Sequence, residues 1–185
     1  MDWVAVAIEE YKTLRAESIA SMQMQQSILR FGSATLGIIL AAGFNVWERK
    51  ILAELVFLAF APLATYLIII IWTGEVARMF RAGAYLREIE KKINSQFPNM
   101  QPALLWEQTL AQVQPDGRTM HQGLRAHYVS IFLLYVILAL ASIVIGNYKL
   151  WSTVSAVTFW SIDFVEALIF GVVLYLAVTL ESRYR

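Results

Sequence analysis

The sequence predicts an all-α integral membrane protein with four transmembrane helices and long cytoplasmic helical extensions, and three observations carry that prediction. Of its 185 residues, 58% are hydrophobic and 16% are charged, whereas an ordinary soluble domain is about 45–50% apolar and about 25% charged. The apolar residues are gathered in long blocks rather than spaced at one period, the pattern of a chain whose solvent is lipid. The basic residues collect in alternate segments between the blocks, as the positive-inside rule requires of a chain with a fixed orientation.

Residues 1–30 read as one cytoplasmic amphipathic helix, with Val4, Ile8, Tyr11, Leu14, Ile19, Met22 and Leu29 at three-, four- and seven-residue intervals and neither Pro nor Gly to interrupt them. The helix is expected to run straight into the first span, 31–47. The second span is 51–72, the third 128–148 and the fourth 157–180. Each is close to the roughly 20 residues that cross a 30 Å hydrocarbon core. A soluble four-helix bundle is the competing reading. Stretches such as LIIIIW and IFLLYVILALASIVI are apolar on every face, and such a bundle has no place for the outer one. A cleavable signal peptide is not expected, because the first block follows a charged helical segment and leads into a second span.

The hairpin of spans 1 and 2 (31–72) is followed by a cytoplasmic helical region (73–127), a second hairpin (128–180) and a short tail (181–185). Lys12, Arg15 and Arg30, the seven basic residues from Arg78 to Arg125, and Arg183 and Arg185 fall on one side; Arg49, Lys50 and Lys149 fall on the other. Both termini and the central segment are therefore expected in the cytoplasm of a bacterial inner-membrane protein. Trp47, Trp72, Tyr148, Trp151 and Trp160 stand at or near span ends, where amphipathic rings settle.

In the central segment, Ala82, Leu86, Ile89 and Ile93 form one apolar stripe on a helix that Pro98 and Pro102 terminate. ALLWEQTLAQV follows, with Leu105, Trp106 and Leu110 as anchors, and Pro115-Asp116-Gly117 signals a turn before the chain returns as a helix. These faces can pack against the chain itself or its own copies, or dock a soluble protein or small-molecule regulator on the cytoplasmic side; packing is the favoured reading.

Glu54, Asp163 and Glu166 lie within spans, all in the outer half, where an ionisable group needs a reason. Asp163 and Glu166, three apart, share a helix face. They can form an acidic vestibule that concentrates cations at an outer pore mouth when repeated around an oligomer. Other readings are a protonated Glu166 hydrogen-bonded inside the bundle, or interfacial acids that reach water and pair with Arg49 or Lys50. Small residues recur at Ser33, Gly37 and Ala41 in the first span and at Ser142 and Gly146 in the third, faces that let helices approach closely within one chain or between subunits. Pro62 should bend the second span and free backbone carbonyls.

No chemistry of the usual kinds is written in the chain. The absence of cysteine removes thiolate nucleophiles, disulfides and cysteine metal sites. There is no Walker loop, GxGxxG, HExxH or nucleophile elbow. His121 and His127, six apart, lie on different faces of one helix, so no cofactor and no metal site is expected, nor an enzyme. A net charge of +1 supplies no field for nucleic acid.

EEYKTLRAESI before the first span, RAGAYLREIEKKIN after the second and WEQTL before the third resemble a group of small uncharacterised bacterial four-span proteins. The architecture is also similar to the transmembrane effectors of bacterial antiphage systems. That resemblance implies an oligomer that disrupts the membrane. The expected function is accordingly a homo-oligomeric channel or pore-type protein, in contact with the lipid bilayer and regulated through its cytoplasmic helices. The competing expectation is a non-conducting membrane scaffold that recruits a soluble partner. A proton-coupled transporter using Glu166 would fit the acid, but the chain shows no internal repeat.

Overall fold

The computed structural model describes residues 3–97, 104–111 and 120–150, together with 161, 164–165, 167–175 and 179 of the fourth apolar block. Among these residues the regular structure is entirely helical. Helix α1 spans Trp3–Asn45 without a break. It stops in a tight turn, where Trp47 N–H donates to the Phe44 carbonyl and Arg49 N–H to that of Val46. Helix α2 (Lys50–Leu55) passes through one wide turn, Val56–Phe60, into α3 (Ala61–Ser95). Helix α4 is the short Trp106–Ala111, and α5 is Met120–Leu150.

The wide turn lies directly ahead of Pro62. Ala61 N–H donates to Val56 O, five residues back instead of four. In that register the next donor, to Phe57 O, would be the nitrogen of Pro62, which carries no hydrogen. The bend expected at Pro62 is thus taken up as an inserted residue just ahead of it. Helix α3 ends shortly before Pro98, with the Ser95 hydroxyl bonded to Lys92 O at 2.8 Å.

The chain falls into two compact units: Met1–Met24 with Glu75–Ser130, and Gln25–Gly74 with Ile131–Arg183. In the first unit, α1 turns Ala7, Ser18 and Ser21 inward, and α3 turns in Met79, Ala82, Leu86, Glu90 and Ile93. The two run antiparallel, held by Arg78 to Glu17 at 2.8 Å and Ser21 to Glu75 at 3.0 Å. The Arg78 guanidinium is held above its ordinary value, chiefly by the hydrogen bond to Glu17. These polar pairs set the rotation of α1, and the outcome differs from the apolar stripe read in the sequence. Ile8, Ile19 and Met22 remain exposed, while small and polar residues form the seam.

The core of the second unit is Leu36, Ala61, Tyr66, Ile69, Tyr135, Val136, Ala139 and Val173. Its outer faces carry large apolar side chains, including Phe31 (69% exposed), Ile38 (70%) and Ile51 (77%). In the described part of the fourth block, helical over 167–175, Val173 faces the core while Phe164, Leu168, Val172 and Tyr175 face outward. Among the described residues three helices are long and apolar enough to cross a membrane: Trp3–Asn45, Lys50–Ser95 and His127–Lys149. An apolar coat this extensive is unstable in water and costs nothing in lipid.

Candidate functional site

The most organised polar cluster lies in the first unit, where the WEQTL element meets α1 and α3. Glu90 is fully buried, although it sits on the apolar stripe of α3, four residues after Leu86 and three before Ile93. A buried carboxylate must be hydrogen-bonded, and Glu90 Oε1 accepts from Tyr11 OH and from the backbone N–H of Glu107, each at 3.1 Å. Burial raises the Tyr11 hydroxyl above its ordinary value, and the charge of Glu90 adds to the effect.

Four residues further along α3, Asn94 binds the backbone of Leu104 twice. Its amide nitrogen donates to Leu104 O at 2.7 Å, and its Oδ1 accepts from Leu104 N–H at 3.2 Å. The segment is gripped from the other side by Arg15, whose guanidinium lies 3.5 Å from Glu107 Oε1 and 4.7 Å from the centre of the Trp106 ring. Glu107 is itself only 5% exposed, with Oε2 3.4 Å from where a Cβ on Gly83 would stand. Burial raises its carboxyl, and Glu90 raises it further, against the opposing charges of Arg15 and Arg87. Gly83, Arg87, Glu90 and Asn94 follow at spacings of four, three and four, so one face of α3 receives the segment.

The stripe residues Ala82, Leu86 and Ile93 are buried within this unit and Ile89 is half-buried, so the stripe serves first as the chain's own core. Leu105 and Trp106 are exposed at 41% and 53%. The side chain of Leu110 lies outside the described residues, as do Asp163 and Glu166. Glu54 is half-buried in α2.

In the second unit, Ser142 and Gly146 form a close contact with the wide turn. The buried Ser142 hydroxyl donates to Phe57 O at 2.7 Å, and a Cβ on Gly146 would stand 2.5 Å from Leu58 Cγ. Ser33 shares a 2.7 Å hydrogen bond with Tyr135, whose hydroxyl also donates to Leu29 O at 3.4 Å. Among the described residues nothing stands within 4 Å of where a Cβ on Gly37 would be, and Ala41 is exposed. The glycines of α1 that meet close neighbours are Gly32, against Ile68, and Gly43, against Phe57 and Val56. Phe44, Trp47 and Phe57 cluster at the end of the hairpin, with Lys149 Nζ 4.3 Å from the centre of the Trp47 ring.

Sequence reasoning passed over Glu90, Asn94, Tyr11 and Arg15 as site residues. Glu90 did leave a signal, since a charged residue in register with Leu86 and Ile93 must be buried with partners or break the stripe. No group of three or more metal-ligating side chains occurs among the described residues. No family model, curated protein or solved structure matches the chain.

Proposed function

We propose that the chain is an oligomeric channel or pore-type protein of the bacterial inner membrane, with both termini and residues 73–127 in the cytoplasm and opening regulated by the helices there. The observation that carries this reading is the second unit, in which an apolar coat of residues such as Phe31, Ile38 and Ile51 surrounds buried hydroxyls at Thr65 and Ser142. A surface of that kind suits lipid. Glu54, Asp163 and Glu166, brought to the outer side by the proposed orientation and repeated around an oligomer, would give the pore an acidic mouth that draws cations. Membrane disruption, the mode of the effectors the chain resembles, is the same pore left open.

The test is ion flux from liposomes containing the purified protein. Cation-selective flux that scales with inserted protein is the expected result. Full insertion with no flux at any protein density would sink the pore reading. The scaffold reading, favoured by the uncovered flank of Ile8, Ile19 and Met22 on α1, would then take its place.

A further inference from the structure

We propose that residues 104–111 are a releasable strap, a regulatory latch that closes in acid and loosens as Glu107 ionises. The proposal concerns the first unit alone and holds whether or not the chain conducts.

Among the described residues, the strap is held by polar side chains of α1 and α3. Asn94 fixes the backbone of Leu104 through two hydrogen bonds, and Glu90 accepts the N–H of Glu107. Among its described side chains, the two large leading ones, Leu105 and Trp106, keep 41% and 53% of their surface exposed, so neither is anchored by full apolar burial. The bonds from Asn94 do not titrate.

Glu107 is the one ionisable side chain on the strap. Among the described residues, the groups that face it are Arg15 and Tyr11 from α1, and Arg87 and Glu90 from α3. Its carboxyl is almost wholly buried, against the bare backbone at Gly83. As a carboxylate it is desolvated and repelled by Glu90, and Arg15 answers at only 3.5 Å. As a neutral acid it loses both penalties and keeps its place.

The sign follows from linkage. Burial raises the Glu107 carboxyl in the docked strap, so the docked form binds the proton more tightly than the released form. Docking is therefore strongest below the ordinary glutamate range and weakens as pH climbs through the raised value. Release would uncover Glu90, Tyr11 and Asn94 together.

Hydrogen exchange on the full-length protein in detergent, corrected for intrinsic rates between about pH 5 and about pH 8, reads the strap directly. The amides of Leu104 and Glu107 are expected to lose protection with rising pH, by up to about tenfold per pH unit in the window where one proton is released. Glu107→Gln should flatten the profile and leave protection high throughout. Arg15→Gln should carry the fall to higher pH, because the carboxylate loses its cation. A flat profile in the natural sequence, or a pH slope that survives Glu107→Gln, overturns the proposal. So does a parallel loss over residues 83–93, which would mean that the whole unit opens. If Glu107→Gln does not fold, an unmoved profile in Arg15→Gln overturns it equally.

Discussion

Ser142 and Phe57, 85 positions apart, are joined by a 2.7 Å hydrogen bond from a side-chain hydroxyl to a backbone carbonyl. The bond gives a donor to the carbonyl that, in the register of the wide turn, would look to the nitrogen of Pro62, which carries no hydrogen. In lipid no water would replace a missing donor.

Ser142→Ala should therefore destabilise the protein by about 0.6–2 kcal/mol, the span between hydrogen bonds measured within membranes and a buried acceptor left unpaired. Pro62→Ala restores an N–H in the register of Phe57 O, so in that background Ser142→Ala should cost measurably less. Denaturation in detergent of the four sequences in this cycle checks it. Equal costs in both backgrounds would mean that Pro62 is not what frees the carbonyl.

The glycines separate in the same kind of measurement. A methyl at Gly146 would meet Leu58 Cγ and Cδ2 at 2.5 Å, and forced overpacking costs about 1–3 kcal/mol. Among the described residues nothing lies within 4 Å of where a Cβ on Gly37 would stand, and Ala gains up to about 1 kcal/mol over Gly in a helix. Gly146→Ala should lower the melting temperature and Gly37→Ala should hold or raise it. If Gly37 instead lies in a contact between copies, Gly37→Leu should reduce the particle mass in detergent without preventing insertion.

How far the fold was legible follows from which physics set each element. Blocks such as 51–72 announce a helix by composition alone, and α1 and α3 extend beyond their apolar blocks because no Pro or Gly cluster stops them. Helix rotation was not legible. Ile8, Ile19 and Met22 looked like an inward face, but Glu17 and Ser21 pair with Arg78 and Glu75 and turn Ala7, Ser18 and Ser21 inward instead. Small-residue spacing marked Ser142 and Gly146, which do meet the wide turn, whereas Gly37 and Ala41, with the same spacing, meet no close neighbour among the described residues. Spacing records that a close approach is permitted and not which neighbour makes it. The segment ALLWEQTLAQV was legible, but the way it is held was not: Asn94 and Glu90 bind its backbone, and backbone atoms leave no trace in sequence.

Orientation can be measured with single cysteines, which are easily read in a chain that has none. Ser95 and Arg49 are both exposed, so Ser95→Cys and Arg49→Cys should each react freely with a soluble maleimide that has access to their side of the membrane. With twelve basic residues assigned to the cytoplasm, an impermeant maleimide applied to intact cells should label position 49 and leave position 95 untouched until the cells are lysed. Labelling at 95 in intact cells would reverse the proposed topology and move the three acids to the cytoplasmic half.

The acids supply the test of the pore itself. Charge at a narrow mouth raises the local concentration of the opposite ion, so an acidic vestibule favours cations and its neutralisation reduces that preference. The nearly isosteric changes Glu54→Gln, Asp163→Asn and Glu166→Gln remove charge while keeping hydrogen-bonding capacity, so packing should survive. If the acids line the pathway, the triple variant should insert and assemble normally, yet show a smaller reversal-potential shift in a salt gradient across the bilayer. The effect should be greatest at low ionic strength, where the Debye length reaches about 30 Å at 0.01 M, and should fade toward 1 M, where it is about 3 Å. Selectivity unchanged at low salt would place the three carboxyls at the lipid interface, paired with Arg49 or Lys50. A loss of assembly would show instead that they hold helices together.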